Sequence, residues 1–246
     1  MLNYRIEGNG QPLVLIHGFG ISFHIWQDLR PLLRDYITLI QIELPGIGFS
    51  PLPAQGQDYL DSAVEGIEQI RIALGIEHWY VLSYSSGTRV GERYLQVHAD
   101  CVDSSIFICP AQTSSLKALG LRLAVKLDKY IPQIGNWILS GSRLRFLIDL
   151  LGFNLQKNAR SQLWFAEISS QPVEILKETL RSMPDGGARP FTIPDHRALF
   201  IWADEDWLMD TPRLSPCDRL IHANHSAAQT AAQPLADLIL SFLIEK

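Results

Sequence analysis

The chain has 246 residues, 47% hydrophobic and 19% charged, with a formal net charge of −5. That length buries a sizeable core and suits one α/β domain with an insertion, while the acidic balance leaves no overall basic footprint for nucleic acid. Cys101, Cys109 and Cys217 show no metal-ligand spacing and read as free thiols of a reducing cytoplasm; no apolar stretch has signal-peptide length at residues 1–10, and no run reaches the ~18 residues of a membrane span.

In chain order, residues 1–11 read as a short strand closing at Gly8-Asn9-Gly10. Pro12–Ile16 is a continuous apolar run, as expected of a strand buried on both faces of a parallel sheet, and it ends at His17-Gly18-Phe19-Gly20. Helical spacing follows through Trp26, Leu29, Leu32 and Leu33, then a strand over 36–42 and a loop, Glu43–Ser50, punctuated by Pro45, Gly46 and Gly48. Asp61-Ser62 is expected to cap a helix running to about Leu74, with Val64, Ile67, Ile70, Ile72 and Leu74 on its apolar side. The stretch from Trp79 to Val90 begins as a β-branched and aromatic run, passes Ser83, Ser85, Ser86 and Gly87, and turns helical. Ser105–Cys109 is the next strand.

From about 113 to 183 only helical periodicity appears, broken at Pro132, Gly135, Gly141 and Gly152; Pro184–Gly187 closes the region, and Pro190 and Pro194 mark a stiff connection. Ala198–Trp202 resumes the strands, a shorter one lies near Arg219–His222, and a final helix spans about Ala227 to Ile244. Strands alternating with helices predict an α/β protein, a mostly parallel twisted sheet with helices on both faces. The expected division is a core of residues 1–112 and 187–246 and a helical cap inserted at 113–186.

Ser85 falls at the strand-to-helix turn, and its small neighbours Ser83 and Gly87 are what a sharp turn with a lifted hydroxyl requires. Such turns also occur without chemistry, and Ser86 could simply start the helix. A serine hydroxyl needs a base within hydrogen-bond reach, and the base needs an orienting group. Asp206 follows the Ala198–Trp202 strand and His225 follows the last strand, giving the order Ser, Asp, His. Asp204 and Asp210 compete as the acid and His222 as the base. His17 reads as a loop histidine bonded to backbone, and His24, His78, His98 and His196 as surface or helix residues.

Five segments together resemble the α/β-hydrolase fold family, in its capped, esterase-like branch. His17–Gly20 resembles the family's oxyanion loop, Glu43–Ser50 the loop D-x-P-G-x-G-x-S, Ser83–Gly87 the nucleophile elbow, Ala203–Asp206 the acid loop and Asn224-His225 the Gly-His pair before the terminal helix. The resemblance implies that Ser85 attacks, His225 takes its proton and Asp206 holds the imidazole. It also implies an oxyanion hole formed by the backbone N–H groups of Phe19 and Ser86, with Gly18, Tyr84, Trp164 and Trp207 as substrate-binding candidates. It implies neither metal nor organic cofactor. Ser83, Ala203 and Asn224 replace glycines of the pattern, Thr88 replaces another, and Glu43 stands for Asp. Relatives that dehalogenate or open epoxides use an aspartate nucleophile, and a serine here argues against both.

Residues 113–160 carry eight basic and two acidic side chains, a net of +6, against −11 for the remainder. The plainer reading is amphipathic helices with a solvated basic face. The sharper reading is a surface that recruits an anionic or carrier-bound acyl substrate, with weak docking to an anionic membrane surface as a third option. The expected function is hydrolysis of a carboxylic ester of small or medium acyl chain. Its rivals are a C–C hydrolase or lyase using the same triad, and a ligand-binding protein that keeps the fold. The expected partner is a small-molecule ester or acyl substrate, with no nucleic acid and no stable membrane insertion; nothing in the residues selects an oligomeric state.

Overall fold

Seven strands build a single sheet: β1 (Tyr4–Glu7), β2 (Pro12–Ile16), β3 (Thr38–Ile42), β4 (Trp79–Tyr84), β5 (Val102–Ile108), β6 (Ala198–Ala203) and β7 (Asp218–Ile221). In the computed structural model their order is β1-β3-β2-β4-β5-β6-β7. Only β1 runs antiparallel, pairing with β3; every other neighbour is parallel. The structure describes residues 1–111, 128, 130–139, 143, 159–182, 197–206 and 208–244.

Parallel strands need crossovers, and these cover both faces, so the central strands are apolar on both sides. Leu13, Val14, Leu15 and Ile16 of β2 are all fully buried. Alternation along each strand sends Leu13, Leu15, Leu82, Tyr84, Ile106, Ile108 and Ile201 into one apolar cluster, and Val14, Ile16, Ile40, Ile42, Val81 and Phe107 into another. The first cluster is closed by helices α1 (Arg30–Leu33) and α8 (Ala232–Ile244) through Leu33, Leu235 and Ile239. The second is closed by α2 (Tyr59–Ala73) and α3 (Gly87–His98) through Ile67, Ile70, Val90 and Tyr94.

Three details differ from expectation. Helix α2 is capped by Asp58 rather than by Asp61-Ser62. The Asp58 carboxylate accepts from the N–H groups of Leu60 (2.9 Å) and Asp61 (3.1 Å), and the helix opens on buried Tyr59. Ile72 lies 63% exposed, because two residues on from Ile70 is about 200° around a helix, on its far side. The expected final helix is two, α7 (Ala227–Thr230) and α8, with a break at Ala231. Pro234 has no N–H to offer Thr230, so a new helix starts with the proline in its first turn.

Between β5 and β6 the described helices are α4 (Pro132–Ile138), α5 (Ala159–Ser170) and α6 (Val173–Arg181). Asp128, buried there, pairs with Lys177 Nζ at 2.9 Å and Arg181 at 2.5 Å. The inner side of α5 and α6 rests on the loops that follow β2 and β3. Neighbouring residues of α6 divide between the two clusters: Ile175 joins the second and Leu176 the first. The expected basic residues of the insertion other than Arg143 lie outside the described residues or lack a described side chain. So do Pro184–Gly187, Pro190 and Pro194. Arg143 is exposed, with its guanidinium 4.5 Å above the Trp137 ring.

Candidate active site

Strand β4 delivers Ser85 at its carboxyl end. Ser85 has φ 52°, a left-handed conformation rare for non-glycine residues, and its N–H donates to the Ile108 carbonyl at 2.9 Å. The chain then enters α3 at once, with Ser86 as N-cap. A Cβ on Gly87 would overlap the His17 carbonyl oxygen, so this tight crossing of backbones admits only glycine. Thr88 pins the turn from inside: its hydroxyl donates to the Ser85 carbonyl at 2.6 Å and accepts from the Ala111 N–H at 3.1 Å.

The structure brings Ser85, His225 and Asp206 together. Ser85 Oγ is 2.8 Å from His225 Nε2, and His225 Nδ1 is 2.7 Å from Asp206 Oδ2. All three are largely shielded from water; the side chains of His225 and Asp206 are 8% and 3% exposed. The second carboxylate oxygen of Asp206 accepts from the N–H groups of Leu208 (3.0 Å) and Met209 (2.9 Å), which fixes the carboxylate facing the ring. With Nδ1–H donated to this carboxylate, Nε2 is left as the acceptor for the serine hydroxyl. The rival acid Asp204 instead bonds His222 Nδ1 at 3.0 Å and the Ala223 N–H at 3.1 Å, and the His222 side chain is 80% exposed.

Tyr84 sits beneath the histidine and props its loop. The phenol is buried, packs edge-on against Trp26 and donates to the His225 carbonyl. Burial, with the Asp206 carboxylate nearby, pushes its ionisation well above the ordinary value, so it stays a donor. Tyr84 thus braces the His225 loop from within the apolar cluster. Trp164 is 4% exposed on the inner side of α5, in the same cluster as Tyr84. Trp207 lies outside the described residues.

His17 ties two loops together. Its Nδ1–H donates to the Gly18 carbonyl at 2.8 Å and its Nε2 accepts from the Leu44 N–H at 2.9 Å. Accepting at Nε2 requires the neutral ring, and complete burial lowers its pKa, outweighing the bond to Gly18. An added Cβ on Gly18 would stand 3.0 Å from the Ser85 Cβ, which places this loop against the serine. Among the described residues nothing accepts from the N–H of Phe19 or of Ser86. Glu43 organises the second loop: its carboxylate accepts from Asn3 Nδ2 (2.8 Å) and the Phe49 N–H (2.7 Å), and a Cβ on Gly48 would overlap it. The longer Glu thus keeps the loop wrapped around a buried charge.

Cys109 Sγ, a carboxylate oxygen of Asp206 and a ring nitrogen of His225 lie within 4.8 Å of one another, a spacing a metal ion could bridge. Burial, with the Asp206 carboxylate beside it, pushes the Cys109 thiol well above its ordinary pKa. A metal needs the thiolate, and His225 Nδ1 is already committed to Asp206.

With this geometry in place, the family model for the alpha/beta hydrolase fold matches residues 11–224. The chain belongs to the alpha/beta hydrolase fold family. Among curated proteins it is similar to a fluoroacetate dehalogenase of a Burkholderia species, 29% identical over 105 residues, 41% of this chain and 34% of that one. It is also similar to a pimeloyl-[acyl-carrier protein] methyl ester esterase of Legionella pneumophila, 44% identical over 46 residues, 19% of each chain. The matches to the first curated relatives thus span well under half of their length. A solved meta-cleavage product hydrolase from Pseudomonas fluorescens superposes with a TM-score of 0.68 at 19% identity, covering 98% of this chain and 93% of that one, and shares the fold.

The departures from the family's glycine pattern have local explanations. Ser83 is accommodated because residue 91, facing it from α3, is also a glycine: a Cβ there would come within 2.6 Å of Ser83 Oγ and 3.0 Å of its Cβ. Asn224 uses its side chain to accept from the Ser226 N–H at 2.8 Å and so shapes the turn after His225. Sequence reasoning missed Gly91, Cys109, Glu167 and Gln171. Gly91 has a legible signal, a glycine one turn into an otherwise good helix.

Proposed function

We propose that the chain is a serine hydrolase that cleaves a carboxylic ester through an acyl-enzyme, with residues 113–186 acting as a cap over the site. The observation that carries this reading is the hydrogen-bonded run from Ser85 Oγ through His225 to Asp206, with the serine on a left-handed turn. His225 Nε2 takes the serine proton as Oγ attacks the ester carbonyl, and Asp206 stabilises the imidazolium. The N–H groups of Phe19 and Ser86 receive the developing oxyanion, where preorganised donors are worth most. The imidazolium then protonates the leaving alcohol, and water activated by His225 releases the acid and restores the serine.

The acyl substrate is of small to medium length and anionic or carrier-bound. The net +6 of residues 113–160 supports this, and so does the likeness to an esterase whose substrate is carried on acyl-carrier protein. Three free cysteines suit the reducing cytoplasm. Among the described residues no helix is long and apolar enough to cross a membrane.

A fluorophosphonate probe should label Ser85, and Ser85→Ala should abolish labelling. Turnover of p-nitrophenyl acetate, butyrate and octanoate then reads the acyl pocket. Labelling with no turnover of any ester would reject ester hydrolysis in favour of C–C cleavage or ligand binding. Added salt should raise KM for an anionic ester far more than for a neutral one; equal responses would remove the anionic substrate.

A further inference from the structure

The loop that carries Phe19 is held at both ends, and the two anchors come from different parts of the chain. At its start the anchor is His17, bonded within the core to Gly18 and Leu44. At its end the anchor is Glu167, on α5 of the insertion and 145 positions away in sequence. One carboxylate oxygen, Oε1, accepts from the Ser22 N–H at 3.2 Å and from the Ser22 hydroxyl at 2.5 Å, and lies 3.2 Å from His24 Nδ1. The Glu167 side chain is only 12% exposed, and its Oε2 is buried with no hydrogen-bond partner. Its own carbonyl accepts from Ser170 Oγ (2.7 Å) and Gln171 Nε2 (3.1 Å), which fixes the end of α5.

Packing reinforces the placement. Between the anchors lies Gly20, at φ 63°, where an added Cβ would meet Leu176 at 3.0 Å and Ile168 at 3.1 Å. The neighbouring loop is held in the same way, with the Gly48 N–H donating to Gln171 Oε1 at 3.1 Å. A buried carboxylate is costly to desolvate, and hydrogen bonds from Ser22 to a charged acceptor are about twice as strong as neutral ones. Two donors from Ser22 converge on one Glu167 oxygen and seat the side chain there. Phe19 lies three positions before Ser22, on the short stretch between the two anchors.

We propose that Glu167 is a positioning residue: from the insertion it holds Ser22 so that the Phe19 N–H points to where the oxyanion forms. This rests on the reading of Ser85 as nucleophile, and fluorophosphonate labelling of the wild-type chain tests that reading separately.

The experiment compares Glu167→Ala, Glu167→Gln and Ser22→Ala with wild type. Glu167→Ala should lower kcat roughly tenfold with KM within about twofold, a partial loss beside the 10²–10³ for complete removal of an oxyanion donor. Its Ki for a trifluoromethyl ketone, whose adduct uses the oxyanion hole, should rise in proportion, while Ki for the product acid stays unchanged. Glu167→Gln retains a carbonyl acceptor and should recover most of the rate; Ser22→Ala keeps the backbone bond and should fall between. Hydrogen exchange at residues 19–22 should quicken in Glu167→Ala, a readout that needs no turnover. Unchanged exchange and unchanged ketone Ki in Glu167→Ala would overturn the proposal. So would a Gln variant as impaired as the Ala variant, or a lower kcat with the ketone Ki intact. If Glu167→Ala fails to fold, Ser22→Ala and Glu167→Gln carry the same comparison. Failure of the wild type to label with accelerated loop exchange in Glu167→Ala would reject the nucleophile and keep the anchor.

Discussion

Replacing Gly91 by alanine sets two known effects against each other at one position. Alanine in place of glycine within a helix is favourable by about 1 kcal/mol. The new methyl group, however, would stand 2.6 Å from Ser83 Oγ, closer than real Cβ atoms approach, and 3.0 Å from its Cβ, tighter than nine in ten such contacts. Rotating the hydroxyl relieves the first contact and leaves the second, and β4 is fully buried at Ser83 and cannot recede. Overpacking of this kind costs about 1–3 kcal/mol, so the single variant should range from near neutral to roughly 2 kcal/mol less stable. In a Ser83→Gly background both contacts vanish. The nearest remaining atom is Phe107 Cε1 at 3.4 Å, an ordinary contact, and the same Gly91→Ala change should then stabilise by about 1 kcal/mol. A double-mutant cycle by urea denaturation should return a coupling of about 1–3 kcal/mol. In a chain of this size that is roughly 2–4 °C of Tm per kcal/mol. Equal effects of Gly91→Ala in the two backgrounds would refute the account of how serine replaces glycine in the elbow.

Other outcomes follow from the same geometry. Asp206→Asn should leave the fold intact and lower kcat by about 10⁴, the size seen when a triad carboxylate no longer selects the imidazole tautomer; steady-state kinetics with a p-nitrophenyl ester measures it. His17 has its pKa lowered by burial from 6.5, so below that value the unfolded chain binds a proton that the folded one does not. Its contribution to stability is complete above 6.5 and lost as pH falls, at up to about 1.4 kcal/mol per pH unit. The urea midpoint should therefore drop less on acidification in His17→Gln than in wild type. Asp58→Ala should cost about 1 kcal/mol through loss of the α2 cap, whereas Ser62→Ala should be near neutral, as thermal melts would show.

Much of this fold is legible because its central strands are buried on both faces. Such burial writes itself as unbroken apolar runs, and Pro12–Ile16 and Ala198–Trp202 were readable on that ground. The elbow was readable because a left-handed turn restricts its neighbours to small residues. Helix boundaries were less so. Asp58, Asp61 and Ser62 are all competent caps, and only the burial of Tyr59 decides between them. The break at Ala231 follows from Pro234, a signal present but masked by good helix formers on either side. What local pattern could not supply is contact across the insertion. Nothing in the local sequence singles out Glu167 or Gln171, yet they meet Ser22 and Gly48 across 145 and 123 positions. The spacing of charges along one helix carries no information about which distant loop will lie beneath it.

The division of Ile175 and Leu176 between the two apolar clusters makes α6 the stitch that joins opposite sides of the sheet. Such a helix does not swing away as a free flap, because lifting it would wet both cores at once. Excision of the inserted helices should accordingly yield an aggregating remnant rather than a smaller working enzyme. Grafts from relatives would keep the host intact only if they brought two adjacent aliphatic side chains to the same two places.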